Sequence, residues 1–183
     1  MPPAPVLLLT GSPGCGKTTV APLVADHHEP SACLDLDWFF AKIRRGFMEP
    51  WRSEAHAQNR VILRAAAAAV ATFARGGYFT LAEGILYPFM LDLFAEACAP
   101  HNISLNYAVL RAPIGVVQQR VQVRRAEPAH FGALADADVV DDLWEQFESH
   151  GVAERHRVAS GERAPQAIAE ELDSRLAAGD FRL

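Results

Sequence analysis

Apolar residues fall along this chain in short runs separated by longer stretches of helical spacing. Val6-Leu7-Leu8-Leu9-Thr10 is apolar up to its threonine and runs into Gly11, the pattern of a strand buried on both faces. Thr18 to His27 has helical spacing, and Ala32-Cys33-Leu34 with Leu36 predicts a second strand. Glu54 to Arg75 is rich in good helix formers and closes on Gly76-Gly77, so a long helix with a glycine stop is expected. Its alanine run, Ala65 to Ala69, suits close packing against a neighbour. Tyr78 to Ala82 is β-prone and predicts a third strand. Pro88 can open a helix that stops before Pro100, and Ile103 to Leu110 predicts a fourth strand with imperfect alternation. Helices from Pro113 to Arg125 and from Asp136 to Ser149 follow, then a short strand at His156 to Ala159. A last helix runs from Pro165 to near Gly179. Strands separated by helices argue one α/β domain over residues 1–183, built on a parallel sheet covered on both faces.

Composition narrows the function. Half of the 183 residues are hydrophobic and 21% are charged, the profile of a globular domain. The formal net charge of −5 disfavours nucleic acid and anionic membranes, so an anionic ligand must meet a local cationic site. Cys15, Cys33 and Cys98 show no C-x-x-C spacing, which argues against a disulfide framework or a structural zinc. Met1-Pro2-Pro3-Ala4-Pro5 carries no Lys or Arg, and the apolar run after it is short for a signal peptide. Arg64, Arg75, Glu83, Asp92 and Glu96 interrupt every candidate membrane span. A soluble cytoplasmic protein without nucleic-acid or membrane partners is expected, its oligomeric state left open.

One motif decides the class. Gly11-Ser12-Pro13-Gly14-Cys15-Gly16-Lys17-Thr18 fits G-x-x-x-x-G-K-[ST] and lies between an apolar strand and a helix. Glycines let the backbone wrap a phosphate, while loop N–H groups and the helix N-terminus supply positive charge. Lys17 can reach the outer phosphates, and the Thr18 hydroxyl suits magnesium. Gly11 to Thr18, with Thr19 beside them, therefore form a candidate ATP site. Cys15 next to a helix N-terminus is either a thiol of raised thiolate character or a buried, inert one. Lys17 and Lys42 are the only lysines, and Ala41 precedes Lys42, so the guanine-reading N-K-x-D motif is missing. That excludes a Ras-like GTPase. The third strand ends in Ala82-Glu83 rather than in an apolar run followed by Asp-Glu, which weakens the assembly-ATPase reading.

Two further constellations carry candidate chemistry. In Leu34-Asp35-Leu36-Asp37-Trp38, residues i and i+2 of a strand face the same way, so both aspartates are expected at the P-loop end of the sheet. Asp35 would serve the magnesium shell, and Asp37 would orient or deprotonate an acceptor hydroxyl. The competing reading is an Asp capping the helix that follows. Between Glu96 and Glu127 there is no acidic residue, yet Arg111, Arg120, Arg124 and Arg125 fall in that window. Arg120 and Arg124 share a helix face and can meet a base and a transferring phosphoryl group. A solvated helix face is the alternative, and the better reading for Arg125.

These segments together resemble the small P-loop kinases grouped with gluconate kinase, shikimate kinase and chloramphenicol phosphotransferase. The matching pieces are the P-loop, Asp35-Leu36-Asp37-Trp38-Phe39, Glu49-Pro50-Trp51, Arg120-Val121-Gln122-Val123-Arg124 with His130-Phe131, and Gln146-Phe147-Glu148. The resemblance implies a nucleoside monophosphate kinase-like P-loop fold, a five-stranded parallel sheet with helices on both faces. It also implies an acceptor-binding helical region at about 38–75 and a lid at about 124–136. It gives Asp37 the acceptor hydroxyl, Arg124 the lid position, Arg120 a place near adenine, and Pro165 the other face of the base. After the third strand the chain departs from gluconate kinases: Glu83-Gly84-Ile85-Leu86 replaces a Ser-Ala-Leu-Lys type sequence, and chloramphenicol enzymes carry paired acidic residues there.

Arg60 is a candidate acceptor-binding arginine or a helix-surface residue. Trp38 and Trp51 either line the acceptor cavity or pack in the core. His56, His101 and His130 form no metal-ligand spacing. The expected activity is ATP- and magnesium-dependent transfer of a phosphoryl group to a hydroxyl of a small molecule: a sugar, sugar acid, polyol or antibiotic. A nucleoside monophosphate kinase and an ATP-dependent regulatory switch are the rivals. Glu83 is expected in the acceptor site, where it disfavours an anion such as gluconate. Neutralisation by Arg60 or Arg52, or a place in the magnesium shell, would remove that preference.

Overall fold

The computed structural model describes residues 2–125 and 137–183. Its sheet has five strands, all parallel, in the order β2-β3-β1-β4-β5. They are β1 (Val6–Thr10), β2 (Ser31–Asp35), β3 (Phe79–Glu83), β4 (Leu105–Arg111) and β5 (Arg157–Ala159). The helices are α1 (Lys17–Asp26), α2 (Asp37–Phe40), α3 (His56–Arg75), α4 (Leu91–Cys98), α5 (Ile114–Arg125), α6 (Ala137–Ser149) and α7 (Pro165–Ala178). Of the expected lid at about 124–136, residues 126–136 lie outside the described residues.

Central strand β1 shows why its run is apolar throughout. Val6 and Leu8 join one core with Leu63, Val70, Phe94 and Tyr107, whereas Leu7 and Leu9 join another with Val20, Leu81, Leu110 and Leu172. Edge strand β2 is only partly buried, which fits its mixed sequence Ser-Ala-Cys-Leu-Asp. No helix among the described residues is long and apolar enough to cross a membrane.

Register brings the C-terminal ends of β1, β2 and β3 level. Glu83 lies opposite Leu9 on one side and Asp35 on the other. The Leu36 amide donates to the Glu83 carbonyl at 2.9 Å. A Cβ on Gly84 would stand 2.8 Å from Leu36 Cβ, so glycine lets the two strand exits touch. Beyond them, Thr10 Oγ1 accepts from the Leu86 amide at 2.8 Å, and Tyr107 donates its hydroxyl proton to the Leu86 carbonyl at 2.8 Å. These bonds hold the loop after β3 against β1 and β4.

Several expected boundaries move. A 3-10 turn at Ser53–Ala55 precedes α3, and another at Pro88–Met90 precedes α4. Helix α4 stops at Cys98, before Pro100 as expected, and Pro100 sits near the start of a third turn, Ala99–His101, where a missing N–H is tolerated. That turn ends at Asn102, whose φ of 54° is left-handed. Strand β2 ends at Asp35, and α2 starts where the extended pattern was expected to continue.

Candidate active site

The loop between β1 and α1 is shaped by what stands against it. A Cβ on Gly11 would lie 2.4 Å from the Leu110 carbonyl oxygen, and one on Gly14 would lie 2.9 Å from that of Val117. Both glycines also hold positive φ, 142° and 77°, so the close fit to β4 and α5 admits no other residue. Lys17 is 9% exposed, and its Nζ donates to the carbonyls of Gly11 at 2.9 Å and Ser12 at 3.1 Å. Its charge is thereby stored inside the loop's own curve. Thr18 and Thr19 follow, and both are exposed.

Cys15 is fully buried, and burial pushes its thiol up, with the Lys17 ammonium pulling the other way. The reading of raised thiolate character is therefore corrected. The helix N-terminus does not overcome the loss of water around the sulfur. Arg120 donates from Nη1 to the Gly14 carbonyl at 3.2 Å and from Nη2 to the Gly161 carbonyl. One guanidinium thus ties the P-loop to the β5–α7 loop, which leads into Pro165 at the start of α7. Arg124 lies in the last turn of α5, but its side chain lies outside the described residues.

The two aspartates do not occupy one strand, so the alternation expected for them is corrected. Asp35 ends β2 and accepts the Asp37 amide on Oδ1 at 2.8 Å, a capping contact, while Asp37 opens α2. Asp37 still reaches the site, because the chain turns there and brings it onto a cavity wall. Glu83 ends β3 with only 5% of its surface exposed. Burial pushes its carboxyl above the usual range; Lys17 and a hydrogen bond from Thr18 pull it back, and the Asp35 and Asp37 charges reinforce the rise.

A cavity of about 450 Å³ opens from the P-loop. Pro13, Gly14, Lys17 and Thr18 form its inner end, with Asp37 and Glu83 beside them. Helix α3 presents His56, Asn59 and Leu63 to it, and the loop after β3 presents Ile85, Tyr87, Phe89 and Met90. Leu143 and Gln146 reach it from α6, and Phe47 and Trp51 from the segment before α3.

Two expected wall residues are elsewhere. Trp38 is 57% exposed with the Lys42 ammonium 3.5 Å above its ring, outside the cavity wall. Arg60 faces Asp92 at 3.9 Å in an exposed pair, which leaves it the helix-surface role. Asn59, Tyr87, Phe89 and Met90 were not foreseen. The spacing of His56, Asn59 and Leu63 at i, i+3 and i+7 of one helix was the signal that marks a shared face.

Magnesium fits the donors present. Thr18, Glu83, Asp35 and Asp37 offer hard oxygens near one another. Among the described residues no group of three or more His, Cys, Asp or Glu could hold a metal alone. That suits an ion that keeps waters and takes nucleotide phosphates plus one or two protein oxygens.

No protein-family model and no curated protein matches the sequence. Solved structures do match in fold. An unliganded sugar kinase from Janibacter sp. HTCC2649 has TM-score 0.68 at 21% identity, covering 96% of this chain and 95% of its own. The APS kinase of Mycobacterium tuberculosis, in complex with AMPPNP and APS, has TM-score 0.68 at 20% identity, covering 97% and 99%. Shikimate kinase from Acinetobacter baumannii, in complex with shikimate, has TM-score 0.65 at 18% identity, covering 96% and 94%. The fold is that of the P-loop kinases.

Proposed function

We propose that this protein is an ATP- and magnesium-dependent phosphotransferase that moves the γ-phosphoryl group to a hydroxyl of a small molecule. The observation that carries this reading is the continuity of two spaces. The cavity of about 450 Å³ shares Lys17 and Thr18 with the phosphate loop, so an acceptor in it would lie against the outer phosphate. A slow nucleotide switch has no need of such a chamber.

In this scheme the loop amides and the α1 N-terminus hold the phosphates, and Lys17 swings from the Gly11 and Ser12 carbonyls to the outer ones. The Thr18 hydroxyl, with the Asp35 and Glu83 carboxylates near it, would hold magnesium, which when bound would offset phosphate charge. Arg120 and Pro165 flank the base. Asp37 orients the acceptor hydroxyl and takes its proton. The acceptor oxygen forms a bond to Pγ, the Pγ–O bond to the β-phosphate breaks, and ADP leaves. Arg124 is assigned to the transferring group by resemblance alone.

Two substitutions test the scheme. Lys17→Ala should lower ATP turnover by about a thousandfold with the fold intact. Asp37→Asn should abolish transfer and leave Mg-ATP affinity within about twofold. Loss of Mg-ATP binding in Asp37→Asn, measured by nucleotide titration, would move that carboxylate from the acceptor to the metal.

A further inference from the structure

After Asp37 the chain enters a segment of one-sided composition. Residues 38–48 are all apolar except Gly46 and three cations, Lys42, Arg44 and Arg45. No acid occurs there, and no Ser, Thr, Asn or Gln. The fold sorts the aromatic residues into two groups. Phe39 and Phe40 pack against the core that holds Leu8, Leu63 and Tyr87. Trp38 and Phe47 are left 57% and 40% exposed. Phe47 shares the cavity wall with Trp51 and Phe89, which are 46% and 57% exposed.

The cations are left over as well. The Lys42 ammonium lies 3.5 Å above the Trp38 ring, and Arg44 and Arg45 are exposed. None of the three makes an ion pair among the described residues. The acids around them are committed elsewhere: Glu49 and Glu54 to Arg52 at 3.5 and 3.7 Å, and Asp92 to Arg60 at 3.9 Å. Asp37 stands at the inner end of the cavity with Lys17. A chain of net charge −5 thus carries a run of unpaired positive charge. The expectation of no membrane partner rested on that net charge, which averages the segment away. Charge acts over about 8 Å at physiological salt, so a surface in contact meets the local cations first.

Exposed rings beside unpaired cations mark an interaction surface, and the composition points to the partner. Readers of nucleic acid add Asn, Gln, Ser or Thr side chains for bases and sugars, and this segment has none. An anionic bilayer asks for Trp and Phe at headgroup depth and for Lys or Arg against the lipid charge. Those are the side chains that the segment exposes.

We propose that residues 38–48, with Trp51 and Phe89 beside Phe47, form a peripheral docking surface for an anionic lipid bilayer. Trp38 and Phe47 enter the headgroup layer, while Lys42, Arg44 and Arg45 meet lipid phosphates and carboxylates. Attachment by three cations and a few rings is shallow and reversible. The phosphotransferase reading neither needs this surface nor falls with it.

The test uses the full chain and vesicles of phosphatidylcholine, alone or with about one-third phosphatidylserine. Cosedimentation should show at least about tenfold stronger binding to the anionic vesicles, weakening as salt rises from about 0.1 to about 0.5 M. Tryptophan fluorescence should move to the blue on binding, and Trp38→Ala should reduce that shift. Lys42→Gln, Arg44→Gln and Arg45→Gln together should weaken binding about a hundredfold, at roughly fivefold per cation. Arg64→Gln, Arg75→Gln and Arg182→Gln make the same charge change at exposed sites outside the segment. That second triple variant should bind within about threefold of the wild type. Equal binding to both vesicles, no binding to either, or equal losses in the two triple variants overturns the proposal. So does tighter binding to a single-stranded oligonucleotide than to the anionic vesicles, which would make the patch a nucleic-acid surface.

Discussion

Glu83 shows at the residue scale how a buried carboxyl is held at a cost. Its carboxyl is raised first by burial, and the nearby Lys17 ammonium only partly reverses that. A carboxyl raised in the fold stabilises the protein most below the ordinary carboxylate range, and that contribution is lost as pH rises through the folded value. At pH 7.5 the charged form is therefore disfavoured by the fold it serves. Glu83→Gln should raise Tm at pH 7.5 by a few degrees, since each kcal/mol moves Tm by about 2–4 °C in a chain of this size. At pH 4 the gain should disappear, because the wild-type group is then neutral too. The same substitution should raise the magnesium concentration needed for turnover, as the partner of the Thr18 hydroxyl loses its charge. A lower Tm at pH 7.5, read by thermal melts across pH, would mean that Lys17 depends on this carboxylate more than burial penalises it.

Elements differ in how plainly the chain announces them. The P-loop was legible in full, because Gly11, Gly14 and Lys17 are each required by a contact that no other residue type satisfies. Strand β1 was legible as a continuous apolar run, and β3 and β4 as β-prone segments that only Thr80 and Asn106 interrupt before their charged ends. The end of β2 was not. The spacing of its two aspartates favours a shared strand face over a cap, and the Asp35–Asp37 bond at 2.8 Å shows the cap instead. The cavity wall was the least legible part, since Phe47, Trp51, Tyr87 and Phe89 come from segments that no periodicity connects. Trp38 and Trp51 looked alike in sequence, and only the fold separates the one stacked under Lys42 from the one at the cavity mouth.

Helices α1 and α7 meet through a contact that sequence spacing also concealed. His27 Nδ1 and His28 Nε2 both bond the Asp173 carboxylate, the latter at 3.0 Å, and His28 stacks on Phe79 with centroids 3.8 Å apart. The hydrogen bond to Asp173 raises the His27 pKa, against a smaller desolvation effect, with Glu170 and Asp26 adding to the rise. A raised histidine stabilises fully below its ordinary value and loses that contribution as pH climbs through the folded value. Between pH 6 and pH 8 the wild-type Tm should therefore drop by more than that of Asp173→Asn. Parallel curves for the two proteins would show that this exposed contact contributes nothing to the fold.

For the whole molecule, the consequence lies in how distant parts of the chain converge on the phosphate loop. Arg120 on α5 spans from Gly14, near the start of the chain, to Gly161, near its end. Strand β1, at the middle of the sheet, carries the same loop. A nucleotide seated there would engage the centre of the sheet and the β5–α7 edge together, so its binding energy should appear as stability of the entire fold. At a hundredfold excess over Kd, a ligand that binds only the folded state adds about 2.7 kcal/mol. For this chain length that corresponds to a Tm rise of about 5–10 °C with Mg-AMPPNP. Lys17→Ala should lose most of the rise through the phosphates. Arg120→Ala should lower the starting Tm by breaking the Gly14–Gly161 link, and should also reduce the rise by freeing the base side. A full rise in Arg120→Ala from a lowered baseline would make this arginine a structural tie alone. A full rise in Lys17→Ala would remove the phosphate loop from nucleotide binding, and with it the phosphotransferase reading.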